Sequence, residues 1–278
     1  MVEFRWNRRK ADRTPIIRDI DVIRFTEAVL SDYKPEHLEK AGKLDPEHFI
    51  ERYLGATIDY QDIYYSKGAS PIAGATIFNK DHVAVFDKER NMVRTILVDP
   101  GTIILDNSVL DDKLQGFAEF TAMHEAGHFQ IHPEVYERNG EQIDFFSLGM
   151  MKQADMINGV LCKRSNIGSN KTRLVTDEDF REHQANTYAA AMLMPRRTFI
   201  PFVSDLNKFY GYANGIFVKM PEYSIREKQN LRFIIAKTAR KYGVSRAAVK
   251  VNMQKYGLLT EAADFRAAQN RLATYSYY

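Results

Sequence analysis

The sequence predicts an α+β fold, with a small and mostly antiparallel sheet framed by helices. Between residues 56 and 106 the chain has five short runs rich in β-branched residues, separated by Gly, Asn and Asp. Runs of this kind are typical of consecutive strands, and their short connections favour an antiparallel meander. Apolar residues recur at helical spacing before these runs, at 19–33, and after them, at 112–132 and 176–195.

The elements follow one another in a clear order. The helix at 19–33 is expected to end before Pro35, and a second, short helix at 46–55 is closed by Gly55. A helix at 112–132 is stopped by Pro133. Thr176 and Asp179 provide a capping pattern for the helix that ends at Pro195. The strands are expected at 56–65, 72–79, 82–87, 93–98 and 102–106.

Three further stretches complete the division into domains. Residues 134–175 have weak periodicity and several glycines, which favours a long, partly helical excursion of the kind that forms lids or binding elements. Residues 196–230 are mixed, and the chain is expected to be helical again from about Leu231. We therefore expect a main domain at 1–215, with 134–175 as an insertion, and a helical segment at 216–278.

Composition excludes several classes of protein. The chain has 278 residues, enough for a sizeable core, and its single cysteine excludes an intrachain disulfide. The net charge of +3 indicates no general class of partner. Neither a signal peptide nor an apolar run of roughly 18 residues is present, so a cytoplasmic protein with no membrane partner is expected.

The stretch HEAGH contains the residues most suggestive of chemistry. His124 and His128 are four residues apart on a predicted helix and therefore share one face, so both imidazoles can reach one Zn²⁺. Glu125 lies about 100° around the helix, where it can take a proton from a water that the metal polarises. The alternative is an ordinary helix with a satisfied pair of histidines.

His132 raises the question of a three-histidine site. It lies about 12 Å further along the helix axis than His124, which one metal cannot span on a straight helix. We interpret His132 as a helix-end residue that caps, packs or lines the cleft, with direct ligation as the alternative.

The third ligand is sought on the helix at 176–195. Glu182 lies one turn before Asn186 on the same face, and His183 competes with it but points about 100° away. A solvated carboxylate is the alternative for Glu182, and spacing alone leaves the choice open.

Three segments together resemble one known family. TIILD, EFTAMHEAGHFQIH and EHQANTYAAAMLMP are similar to the strand, HExxH helix and ExxAN helix of the ImmA/IrrE zinc metallopeptidases, and the resemblance covers residues 18 to 260 approximately. It implies a zincin-like metallopeptidase fold. It also implies that His124, His128 and Glu182 are zinc ligands and that Glu125 is the catalytic glutamate.

The resemblance also implies an activity and a partner. Family members characterised as proteases cleave a helix-turn-helix repressor encoded nearby, which switches on genes of mobile elements or of a DNA-damage response. A zinc-dependent endopeptidase acting on such a repressor is therefore expected. The segment GTIILDN is either an exposed strand that aligns the substrate by strand addition or a fully paired interior strand.

The basic C-terminal segment provides the alternative function. TARKYGVSRAAVKVNMQKYG resembles a helix-turn-helix unit, and residues 226–255 carry nine basic residues against one acidic residue, a charge of +8. It predicts possible contacts to nucleic acid or a partner at Arg240, Lys241, Arg246 and Lys250. DNA binding is the less favoured interpretation, because a single unit of this kind binds weakly. A regulator with a non-catalytic zinc site is the alternative to the enzyme, and the intact Glu125 favours the enzyme.

Overall fold

The computed structural model describes residues 1–65, 68–111, 116–136, 159–165, 167–168, 174–222 and 224–277. These residues contain helices and small sheets, which confirms the α+β class. The chain divides into a first unit, Met1–Val22 with Asp45–Ala189, and a second unit, Ile23–Leu44 with Ala190–Tyr278. The functional division at residue 215 stays a prediction, and most of the insertion at 134–175 lies outside the described residues.

The helices match the expected positions closely at the N-terminal end of the chain. Asp19–Tyr33 forms α1, and the second expected helix is a turn of α-helix followed by a π-helix, Phe49–Leu54, which Gly55 closes in the left-handed conformation with φ of 66°. The helices up to residue 193 are α1 (Asp19–Tyr33), α2 (Glu36–Glu39), α3 (Pro46–His48), α4 (Phe117–Ile131), α5 (Pro133–Tyr136) and α6 (Asp177–Leu193).

The five expected strands are present, but their pairing differs from a meander. The strands of the first unit are β1 (Thr57–Gln61), β2 (Ile72–Ile77), β3 (Asp81–Asp87), β4 (Met92–Val98), β5 (Thr102–Asp106) and β6 (Gly159–Lys163). Four of them form a mostly antiparallel sheet in the order β1-β5-β2-β6, in which β1 is parallel to β5. Strands β3 and β4 form a separate hairpin. The meander prediction is wrong because β5 pairs in parallel with β1, which requires the chain to cross over between these two strands.

The strand GTIILDN is an interior strand. All five residues of β5 are buried, and β5 pairs with β1 on one side and β2 on the other. Its backbone groups are therefore already used, so the alternative of an exposed strand that adds to a substrate is wrong.

Helix α4 lies against the sheet and is buried all round. It contacts β2 and β5, and every residue from Phe120 to His128 is buried. A helix with apolar residues on all sides belongs to a protein interior. The two histidines and the glutamate of HEAGH are therefore held inside the first unit and away from bulk water.

The second unit is mainly helical. Its later elements are α7 (Arg196–Phe209), β7 (Phe217–Lys219), α8 (Ile225–Tyr242), α9 (Arg246–Lys255), β8 (Leu259–Glu261) and α10 (Phe265–Tyr277). The sequence did not predict α7, because Pro201 lies inside it. Helix α8 begins at Ile225, before the expected Leu231, because Ser224 and Glu227 form a capping box.

Helices α8 and α9 form the expected helix-turn-helix. Gly243 ends α8 with φ of 70°, a left-handed conformation that glycine adopts without strain. Ser245 then caps α9 by accepting the Ala248 N–H at 3.1 Å. Val249 and Ala239 are buried, and α8 contacts α9. No helix in the described ranges is long and apolar enough to span a membrane.

Candidate metal centre

His124, His128 and Glu182 meet inside the first unit. The two Nε2 atoms are 3.0 Å apart, and each lies 3.5 Å from a carboxylate oxygen of Glu182. All three residues are buried. Ligand atoms around a tetrahedral zinc at about 2.0–2.1 Å would be about 3.3 Å apart. The three groups therefore fit one metal ion, and this buried cluster can hold one.

Glycines let the surrounding elements approach the cluster closely. A Cβ on Gly127, inside HEAGH, would lie 3.1 Å from Cδ1 of Tyr188, so α4 and α6 contact each other where no side chain intervenes. A Cβ on Gly74 would lie 2.8 Å from Oε1 of Glu125, so β2 passes directly over the carboxylate. Neither glycine has a positive φ, so each is needed for space and not for backbone conformation.

Glu125 is held by one oxygen only. Its Oε2 accepts the hydroxyl proton of Thr76 at 2.7 Å, whereas its Oε1 is buried and has no hydrogen-bond partner among the described residues. Burial raises the pKa of Glu125 to about 7; the nearby His124 and the Thr76 hydrogen bond oppose this shift, and the charge of Glu182 adds to it. A carboxyl group with such a pKa can both accept and release a proton near neutral pH.

A hydrogen bond fixes the tautomer of His124. Its Nδ1 lies 3.1 Å from Oδ1 of Asn186. That amide oxygen also accepts the Gly168 N–H at 2.7 Å, which fixes the orientation of the amide. An oxygen only accepts, so Nδ1 of His124 carries the proton and Nε2 presents its lone pair to the cluster. This is the arrangement of a metal-binding histidine with a supporting partner.

A longer relay fixes the tautomer of His128. Gln184 donates from Nε2 to the Pro15 carbonyl at 2.8 Å, so its Oε1 faces Nε2 of His132 at 2.9 Å. His132 therefore donates from Nε2 and accepts at Nδ1, which lies 3.0 Å from Nδ1 of His128. His128 donates there and presents Nε2 to the cluster. His132 thus lies behind His128 and not in the cluster. His183 points away from the cluster, and its Nε2 lies 2.7 Å from Oδ1 of Asp19.

The pKa shifts of His124, His128 and Glu182 favour the binding of a cation by these three residues. Burial lowers the pKa of His128 to about 4, against the effect of Glu182. Burial opposes ionisation of Glu182, but its contacts with the two histidines outweigh burial and hold its pKa well below the usual range. Burial lowers the pKa of His124, but the hydrogen bond and charge of the Glu182 carboxylate have the larger effect, so the pKa of that imidazole is raised. A metal ion would take the place of that imidazole proton.

Cys162 is the residue of this site that sequence reasoning missed. Its buried Sγ lies 3.1 Å from Nε2 of His124 and 3.4 Å from Oε2 of Glu182. Together with His124 and Glu125 it makes a second group of possible ligands. Strand β6 brings it there, since Cys162 pairs with Gly74 of β2. In the sequence the only signal was that the chain has a single cysteine, and no spacing connects it to HEAGH.

The predicted contact residues of the C-terminal segment lie on the surface of the second unit. Arg240, Lys241, Arg246 and Lys250 are exposed on α8 and α9. Phe233, on α8, is also exposed. Whether nucleic acid or a partner protein binds there stays a prediction.

Comparisons with known proteins identify no family. No family model matches the chain, and no curated protein matches it. A solved structure described as a Mycobacterium tuberculosis transcriptional regulator is similar, with 14% sequence identity and a TM-score of 0.37. The match covers 85% of this chain and 47% of the other, so this chain spans about half the length of that regulator. A likeness at this level carries no argument about function, and the family resemblance stays a prediction.

Proposed function

We propose that this protein is a zinc-dependent endopeptidase with a zincin-like fold. One observation carries the proposal: a buried set of two imidazoles and one carboxylate lies beside a buried glutamate, one oxygen of which has no partner among the residues that the structure describes. Two histidines and a carboxylate with one open position form the ligand set of several zinc hydrolases. Imidazole donors favour zinc over magnesium or calcium, which prefer oxygen ligands.

Each residue around the proposed metal has its own role in the reaction. A zinc ion at this site supplies a Lewis acid that polarises the scissile carbonyl and acidifies water. Oε1 of Glu125, which has no hydrogen-bond partner in the ranges that the structure describes, takes the proton from the attacking water and later gives it to the leaving amine. Thr76 holds Oε2 and so aims Oε1. Asn186 and His132 keep the two imidazoles in the tautomers that bind a metal.

The substrate is proposed from the resemblance. We expect a helix-turn-helix repressor encoded beside this protein's gene, whose cleavage switches on the genes that it represses. The second candidate is a regulator that binds DNA or a partner and whose metal site is structural. Cys162 favours that candidate, because four protein ligands close a zinc site and leave no position for a substrate.

Isosteric substitutions test the enzyme. Glu125→Gln should retain about one zinc per chain, by elemental analysis, and lose cleavage of the purified repressor by at least about 100-fold. Glu119→Gln is the matched control, because Glu119 is exposed on the same helix, and it should cleave like the wild type.

Two results would count against the enzyme. Cleavage by Glu125→Gln at the wild-type rate would remove Glu125 from the mechanism. A zinc-loaded wild type that cleaves neither the repressor nor unfolded proteins, while it binds DNA or a partner, would favour the structural site.

A further inference from the structure

Cys162 lies directly beside two of the residues that can hold the metal. Ligands on a tetrahedral zinc, with sulfur at about 2.3 Å and nitrogen at about 2.0–2.1 Å, place sulfur about 3.5 Å from nitrogen. Sγ of Cys162 is 3.1 Å from Nε2 of His124 and 3.4 Å from Oε2 of Glu182. The sulfur is thus at ligand distance from two members of the cluster that can hold the metal.

A second observation points to the same space. Oε1 of Glu125 is buried without a hydrogen-bond partner in the described part of the chain, and the ligand atoms of Glu125, His124 and Cys162 all lie within 4.8 Å of one another. The Glu125 carboxylate and the Cys162 thiol therefore lie close together beside His124.

We propose that the thiolate of Cys162 is the fourth protein ligand of the metal held by His124, His128 and Glu182. The site is then closed at rest, and it opens when the sulfur leaves. Coordination converts the thiol to a thiolate and releases one proton; when the sulfur leaves, it takes one proton back. This inference rests on the proposed function, to which it adds a state in which the bound metal is inactive.

Replacing zinc with cobalt(II) makes a sulfur ligand detectable by its light absorption. Cobalt(II) binds sites built for zinc, and a thiolate ligand gives it an intense near-ultraviolet charge-transfer absorption. We expect that absorption in the cobalt-loaded wild type, its loss in Cys162→Ala, and its retention in Glu125→Gln. Because the chain has one cysteine, the absorption can come from Cys162 alone.

A measurement on the zinc-loaded wild type needs no variant to fold. X-ray absorption should show one sulfur at about 2.3 Å from zinc beside nitrogen and oxygen ligands at about 2.0–2.1 Å. A shell of nitrogen and oxygen alone, or a cobalt spectrum without the charge-transfer absorption, would overturn the fourth-ligand proposal. In that case the peptidase proposal would stand, because the metal would still be bound with an open position.

The remaining outcomes separate the two proposals. Zinc-loaded Cys162→Ala should cleave the repressor faster than the zinc-loaded wild type, since its fourth position is open. Sulfur bound to the metal together with no faster cleavage in Cys162→Ala would overturn the closed resting state. A wild type that binds neither cobalt nor zinc would overturn both proposals. Loss of metal in Glu125→Gln but not in Glu182→Gln would place the metal on the other group, His124, Glu125 and Cys162, and would overturn the ligand set.

Discussion

The candidate metal centre of the first unit and the helix-turn-helix of the second differ in the exposure of their ionisable groups. His124, His128, Glu125 and Glu182 are all buried, while Arg240, Lys241, Arg246 and Lys250 are exposed. A buried charge must be compensated by a partner, whereas water compensates an exposed one. Substitutions in the metal centre should therefore have large effects, and those on the helix-turn-helix should have small ones.

The largest effect should follow from removal of the carboxylate ligand. Glu182→Ala removes the carboxylate and leaves the two histidines and the proposed thiolate ligand of Cys162, so we expect metal affinity to fall by about 100-fold. Elemental analysis after dialysis, with Glu178→Ala as the exposed control on the same helix, measures this loss. Undiminished zinc in Glu182→Ala would mean that Cys162 or another group replaces it, and that the carboxylate is not needed.

A pH-dependent effect should come from Glu125 in the metal-free protein. Its pKa rises from 4.5 to about 7 on folding, so the folded state binds more protons between these values and the free energy of unfolding falls as pH rises through them. Glu125→Gln removes this titration and should be more stable than wild type at pH 8 by up to about 3 kcal/mol.

Denaturant unfolding with a chelator, at several pH values, measures the difference between these two proteins. Near pH 4 the difference should shrink, because Glu125 is then protonated in both states. An equal difference at all pH values would show that the carboxylate is not desolvated.

The space at Gly74 allows a smaller but sharper test. A Cβ there would lie 2.8 Å from Oε1 of Glu125, so Gly74→Ala must displace the carboxylate or the strand. We expect a loss of about 1–3 kcal/mol in the free energy of unfolding and a loss of peptide cleavage. Gly42→Ala is the control, because its nearest neighbour would be 3.9 Å away. If Gly74→Ala left both properties unchanged, the packing of β2 on Glu125 would be looser than these distances indicate.

The smallest effect is expected in the second unit. Ser245→Ala removes the cap of α9 and should cost about 1 kcal/mol of stability with no change in bound zinc. Thermal unfolding and elemental analysis of the same sample test both statements. A loss of zinc in this variant would contradict the expectation that substitutions in the second unit leave the metal centre unaffected.

The two regions also differ in how far the sequence predicts them. The helix-turn-helix depends on local signals, Gly243 and Ser245, which act within a few residues of their positions. In the metal centre, His124 and His128 are fixed by helical spacing, but spacing left Glu182 open between ligation and solvent. The structure brings Glu182 to both histidines, and its role as a ligand stays a prediction until metal is measured.

Other parts of the metal centre depend on long-range pairing. Cys162 reaches the cluster because β6 pairs with β2, and β1 lies beside β5 because the chain crosses over between them. Such pairing is decided by burial across the whole unit, which no local pattern records. Gly74 and Gly127 are similar cases, since in the sequence each resembles any strand or helix glycine.

The relay behind His128 has a consequence for the N-terminal segment. It ends on the carbonyl of Pro15, so the backbone near residue 15 holds the Gln184 amide, which in turn holds His132. Each acceptor in this series makes the imidazole that donates to it a stronger base, and the last of these imidazoles, His128, is a proposed ligand. A partner that pulled the N-terminal segment away would therefore weaken the electron donation of His128 without touching the metal. The metal affinity of the proposed site would then depend on whether the backbone near residue 15 is in place.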